Sequence, residues 1–357
     1  MQHVWARQTI GRLLSGSGLG TTAVVMAHAA ELHERVGGPI ATTLWDLALA
    51  QPPEQAALYT GPLNQQAVPG DATGLMAQLA PIVIANPSDT GLNISLLALL
   101  ADLWPHVSSD ERPLLRVRFL NSLMERAGEV GNRGGIPREA VVTSAELKVW
   151  NRYMPTATGE AALADLPKLL SAPTAQEAYH LFADHLLADH QIGGLDGGTL
   201  ARILGSLTVQ IVDQRHDAEG LLLFPLAGAS AAERLAAICP ADSYTTLLSQ
   251  LVHQIWWCVN LAALPRRTGD DHPSDDLATA IIAGNAAGAR KRARSLSLDE
   301  AGWWSTLAPA ITGIATRGQA HWQRAVIATW TLSVRSRNRV VAPDDASAIA
   351  AILADSH

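Results

Sequence analysis

The sequence predicts an all-α protein, a multi-helix bundle or an array of helical hairpins with about fifteen or more helices by its start and stop signals. Three observations lead there. Apolar residues recur at three- and four-residue spacing along most of the chain. Alanine and leucine, both good helix formers, fill many of the remaining positions. No long alternation of Val, Ile and Thr is bounded by Asn-Gly or Asp-Gly turns, so strands have no sequence support.

From the N-terminus, Arg7 and Arg12 precede a weakly apolar stretch, and Ala27-His28-Ala29 resembles a small-residue cleavage site. Residues 15–22 are mostly Gly, Ser and Thr, too polar for the core of a secretion leader, so no leader is expected. Gly16-Ser-Gly-Leu-Gly20 lacks the Gly-Lys-Ser/Thr ending of a phosphate loop and follows a helical pattern, so it reads as a turn. Helices are predicted over residues 92–104, 114–127, 175–189, 200–212, 246–264 and 321–336. Breakers fall at 61–74, 86–91, 128–137, 192–198 and 265–274. Ser108 or Ser109 ahead of Glu111, Thr174 ahead of Glu177, and Ser297 ahead of Glu300 are candidate caps. Residues 92–125 and 221–254 both read as helix, polar turn, helix, but no period is sustained. Residues 1–357 are expected to form a single large helical domain, with 128–137 the candidate point of subdivision.

With 48% hydrophobic residues the chain can bury a large core. Only 17% of residues are charged, the net charge is -7, and the lysines are Lys148, Lys168 and Lys291. Such a chain has no broad basic field, so neither nucleic acid nor an anionic membrane is the expected partner. The clusters Arg290-Lys291-Arg292-Ala-Arg294 and Arg335, Arg337 and Arg339 read as solvated helix ends that complement the helix dipole. Pro81, Gln78, Asn93 and Asp102 interrupt the longest apolar runs before they reach the ~18 residues of a membrane span. Cys239 and Cys258 cannot staple a domain of this size and lack paired metal-site spacing, which suits a reducing cytoplasm.

The densest chemistry lies in Glu177-x-x-His180-x-x-x-Asp184. At ~100° per residue these three side chains fall within about 60° on one helix face. Glu-x-x-His is the spacing by which bundle helices deliver two ligands to one iron. It is also what an ordinary surface helix with a carboxylate–imidazole pair looks like. His28 lies three before Glu31; His253 shares a face with Trp256, Trp257 and Asn260; His321 precedes Trp322 and Arg324. A bundle could turn His28, His180, His253 and His321 inward around iron or another divalent metal. Ten tryptophans against three phenylalanines supply core area, and a few of them could line a pocket for a flat ligand.

Residues 221–258 (LLLFPLAGASAAERLAAICPADSYTTLLSQLVHQIWWC) resemble a late segment of the questin oxidase-like proteins, in which an apolar helix and a Gly-Ala turn lead to a Trp-containing helix. Residues 321–336 are loosely similar too. The resemblance implies an iron-dependent oxygenase acting on polycyclic aromatic polyketides. The family places a histidine just before the Gly-Ala turn, where this chain has Phe224-Pro225, and a lysine near its C-terminus, where none follows Lys291. No ligand is therefore carried over.

The leading expectation is a helical oxidoreductase, an oxygenase of biosynthetic type on an apolar aromatic small molecule. Its metal ligands would come from Glu177, His180, Asp184, His28 and His321, with His253 and Trp257 as catalytic residues. One alternative is a helical-repeat binding protein without catalysis. Another is a metal-free cyclase or lyase with a Trp-lined pocket, using Asp and His as acid and base.

Overall fold

The structure, a computed structural model, describes residues 4–14, 28–33, 38–50, 62–85, 90–126, 172–178, 180, 197–217, 220–260, 264–265, 276–296, 300–335 and 342–355. Among them 83% of residues are helical and there is no strand. In chain order the helices are α1 (Val4–Leu14), α2 (Gly38–Ala50), α3 (Ala72–Ala85), α4 (Thr90–Leu103), α5 (Arg112–Arg126), α6 (Gly197–Gln214), α7 (Leu223–Leu235), α8 (Ala241–Asn260), α9 (Leu277–Ile282), α10 (Ala286–Ser295), α11 (Glu300–Ala315), α12 (Gln319–Arg335) and α13 (Pro343–Asp355). Short 3-10 turns cover Pro62–Gln65 and Trp104–His106. Residues 28–33 and 175–178 are helical as well.

The caps follow the expected chemistry. Ser108 donates its backbone N–H to Glu111 at 3.0 Å ahead of α5, and Thr174 Oγ1 accepts from the Glu177 N–H at 3.2 Å. Asp71, Asp276 and Asn285 each accept from an N–H three residues on, at 2.7, 2.7 and 2.9 Å, opening α3, α9 and α10. Ser297 and residues 128–137 lie outside the described residues.

Two helices carry few polar side chains on any side and sit in the interior. In α4 each residue from Thr90 to Ala101 is buried, and in α13 each from Ala346 to Asp355. The closest partner of α4 is α7, which also packs on α6, α12 and α8; α13 lies mainly against α10 and α6. Helices from the two sides of residues 128–137 thus pack directly on each other.

Two expectations change here. Gly228-Ala229 is not a turn but the interior of α7. A Cβ on Gly228 would stand 2.5 Å from the Gly91 Cα, so glycine at both positions lets the α4 and α7 backbones touch. Pro81 does not end its apolar run: α3 continues through it to Ala85, held by buried Leu75, Met76, Leu79, Ala80 and Val83. The tryptophans act mostly as core. Trp104, Trp303, Trp322 and Trp330 are fully buried, and the indole N–H groups of Trp104 and Trp322 reach the backbone oxygens of Pro69 and Leu44. Both cysteines are buried and neither is in a disulfide. No described helix is long and apolar enough to cross a membrane.

Candidate functional site

Helix α8 is anchored antiparallel to α7 at both ends: the Tyr244 hydroxyl donates to the Ala232 oxygen at 3.1 Å, and the Cys258 thiol to the Leu221 oxygen at 3.8 Å. That leaves another side of α8 facing α3 and α4. Leu247, Leu251 and Ile255 bury apolar surface, yet Ser249, Gln250, His253 and Gln254 are buried beside them. From α4 come the buried polar side chains Thr90, Asn93 and Ser95. A polar seam therefore runs through the core between α8 and the α3–α4 junction.

The two glutamines hold that junction. Gln250 Nε2 donates to the Ile84 oxygen at 2.8 Å, and Gln254 Oε1 accepts from the Gly91 N–H at 2.8 Å. One amide thereby satisfies the end of α3 and the other the start of α4, groups that a helix cannot pair internally. Half of each amide is left over. Gln250 Oε1, an acceptor, and Gln254 Nε2, a donor, are buried without a hydrogen-bond partner among the described residues. Such orphaned groups cost about 1–3 kcal/mol each and call for an explanation. They are four residues apart on one helix face, with His253 between them. The His253 ring lies 6.2 Å from that of Trp256, with the planes 18° apart. Trp257, one turn beyond His253, is half-buried.

The remaining sequence candidates are dispersed. The buried His28 ring stacks on Trp330, centroids 3.9 Å apart. Three residues on, Glu31 accepts from Trp330 Nε1 at 2.9 Å through one oxygen and from Arg234 at 3.2 Å through the other. Arg234 also pairs with Asp102 and lies 5.6 Å from the Trp330 ring centre. Burial works against the Arg234 charge, but Glu31 and Asp102 outweigh it and raise its pKa overall. His28 therefore belongs to the Asp102 end of α4, whereas Gln254 meets Gly91, about 16 Å away along the same helix at 1.5 Å per residue. His321 precedes Trp330 by nine residues of α12, roughly 13 Å. Glu177 is exposed and His180 half-buried, while Asp184 lies outside the described residues.

His28 stands apart from both His253 and His321, so these three do not share one metal. Both oxygens of Glu31 are taken by cationic or N–H donors. Among the described residues no group of three or more His, Cys, Asp or Glu side chains is arranged to hold a metal. Sequence reading singles out His253 and Trp257 on this helix and passes over the glutamines beside them. A signal was present, because Gln250-x-x-His253-Gln254 sets three polar side chains among Leu247, Leu248, Leu251, Val252 and Ile255. No protein-family model matches the chain, and neither a curated protein nor a solved structure does.

Proposed function

We propose that the chain is a small-molecule enzyme that takes an aromatic, hydroxyl-bearing substrate into the α4–α8 seam, with His253 as the proton-transfer group. The observation that carries this reading is the pair of unmet amide atoms, one donor and one acceptor, flanking a buried imidazole. A single hydroxyl satisfies both, donating to Gln250 Oε1 and accepting from Gln254 Nε2. Trp256 and Trp257 supply aromatic surface beside it. An imidazole next to a bound hydroxyl is suited to moving that proton, as in a cyclase, lyase or isomerase.

The test is binding and turnover with a panel of hydroxylated polycyclic aromatics, by calorimetry and product analysis. The wild type binds at least one with Kd below ~1 mM. Gln254→Met weakens that binding at least tenfold, about 1.4 kcal/mol. His253→Asn keeps the binding and abolishes turnover. A panel that produces no binding, or binding indifferent to Gln254→Met, overturns the proposal.

One contact favours a second reading, the metal-dependent oxygenase. Trp256 Nε1 donates to the Ala172 oxygen at 2.9 Å, tying the segment that leads to Glu177 and His180 against the His253 side of α8. Elemental analysis decides it: stoichiometric iron that survives dialysis supports an oxygenase, and its absence after reconstitution rejects one.

A further inference from the structure

A different corner of the molecule carries an independent arrangement of titratable groups. Immediately after α6 the chain turns through Arg215, His216 and Asp217, and the turn is fixed on both sides. Arg215 donates to the Leu264 oxygen at 3.0 Å and the His216 N–H to the Pro265 oxygen at 2.9 Å. His216 Nδ1 then lies 2.8 Å from Oδ1 of Asp355, at the end of α13. The Asp355 side chain is 1% exposed and that of His216 48%. The other Asp355 oxygen accepts from the Asp217 N–H at 3.0 Å. The Asp217 carboxylate, also buried, accepts from the Leu221 and Leu222 N–H groups at 2.8 Å each and feels Arg324.

We propose that His216 is a reactive imidazole, positioned by Asp355, that accepts acyl groups from small activated esters and passes them to water. A buried carboxylate on Nδ1 holds the proton there and leaves the Nε2 lone pair facing away, where half of the side chain meets solvent. The neighbouring buried Asp217 adds negative potential, which stabilises the positive charge that an acylated ring acquires. Nε2 adds to the ester carbonyl carbon, the carbon–oxygen bond breaks, and the phenoxide or alkoxide leaves with the electron pair. Water adds to the acyl carbon next and loses one proton to the solvent, the carbon–nitrogen bond breaks back onto Nε2, and the carboxylic acid departs. The Nδ1 proton stays with the ring throughout, hydrogen-bonded to Asp355. Pairing with a buried carboxylate on a half-exposed side chain is what separates this histidine from the buried His28 and His253.

The test uses the full chain with p-nitrophenyl acetate at neutral pH. Phenoxide release exceeds that of His216→Gln by at least tenfold, at the low end of what a positioned imidazole contributes. Diethyl pyrocarbonate labelling followed by mass spectrometry modifies His216 before His106 or His321. Asp355→Asn slows ester cleavage, and the ring nitrogen NMR shifts of His216 lose the Nδ1–H pattern. Should that variant not fold, the His216→Gln and labelling results decide alone. Equal release by wild type and His216→Gln, or labelling of His106 or His321 as fast as His216, overturns the proposal.

Discussion

Asp217 shows how a single buried side chain sets a pH response. Burial, and then the charge of Asp355, push its pKa from 3.8 to about 6, although the Leu221 and Leu222 N–H groups and Arg324 pull the other way. A carboxyl raised in the folded state contributes stability that is complete below about pH 4 and lost as pH rises through 6. Acidification from pH 7 to 5 therefore stabilises the protein through this group, by roughly 1 kcal/mol. Glu111 acts oppositely. Its hydrogen bond with Arg7 holds it at about 2, so its contribution is present above 4.5 and fades only below that, outside the same window. Urea midpoints at pH 7, 6 and 5 check this: the wild type gains on Asp217→Asn as pH falls, and parallel curves refute it. None of this could be read from the sequence, because His216 and Asp355 meet across 139 positions. Spacing rules see neighbours on one helix, not partners from two.

The helices themselves were legible, because each depends on local periodicity. Predicted residues 92–104, 200–212 and 321–336 became Thr90–Leu103, Gly197–Gln214 and Gln319–Arg335. What periodicity missed was the reason for individual small residues. Gly228 has the look of a breaker between apolar stretches, yet its purpose is contact with Gly91 across two helices. Adding one methyl at Gly228 forces α4 and α7 apart in an already dense interior. Gly228→Ala is expected to cost about 1–3 kcal/mol despite the better helix propensity of alanine. Gly313 provides the control: it lies inside α11 with nothing within 4 Å of a built Cβ, so Gly313→Ala should be neutral or stabilising. Thermal melts of the two variants distinguish packing from propensity, and equal shifts would refute the close approach.

At the scale of the whole molecule, Arg234 joins residues 28–33, α4, α7 and α12 through Glu31, Asp102 and Trp330. Glu31 and Arg234 are 203 positions apart, so spacing along the chain does not show that the carboxylate three residues from His28 is occupied. Breaking this clamp by Arg234→Met alone strands a buried carboxylate and should cost about 3–5 kcal/mol. The double variant Glu31→Leu with Arg234→Met should lose clearly less than the sum of the two single losses, read from denaturation midpoints. Strict additivity would mean that the two side chains do not support each other. The seam at His253 was half legible for a related reason: its residues share one helix, but the junction they serve does not. The burial of α13 on all sides also bears on synthesis. Its neighbours α6, α9, α10 and α12 leave the ribosome before it does, so they present an unfilled apolar slot until residues 343–355 emerge. A ribosome stalled ahead of that point would hold a chain whose α4–α7 core is made but whose α6, α9, α10 and α12 faces stay open, a natural substrate for chaperones.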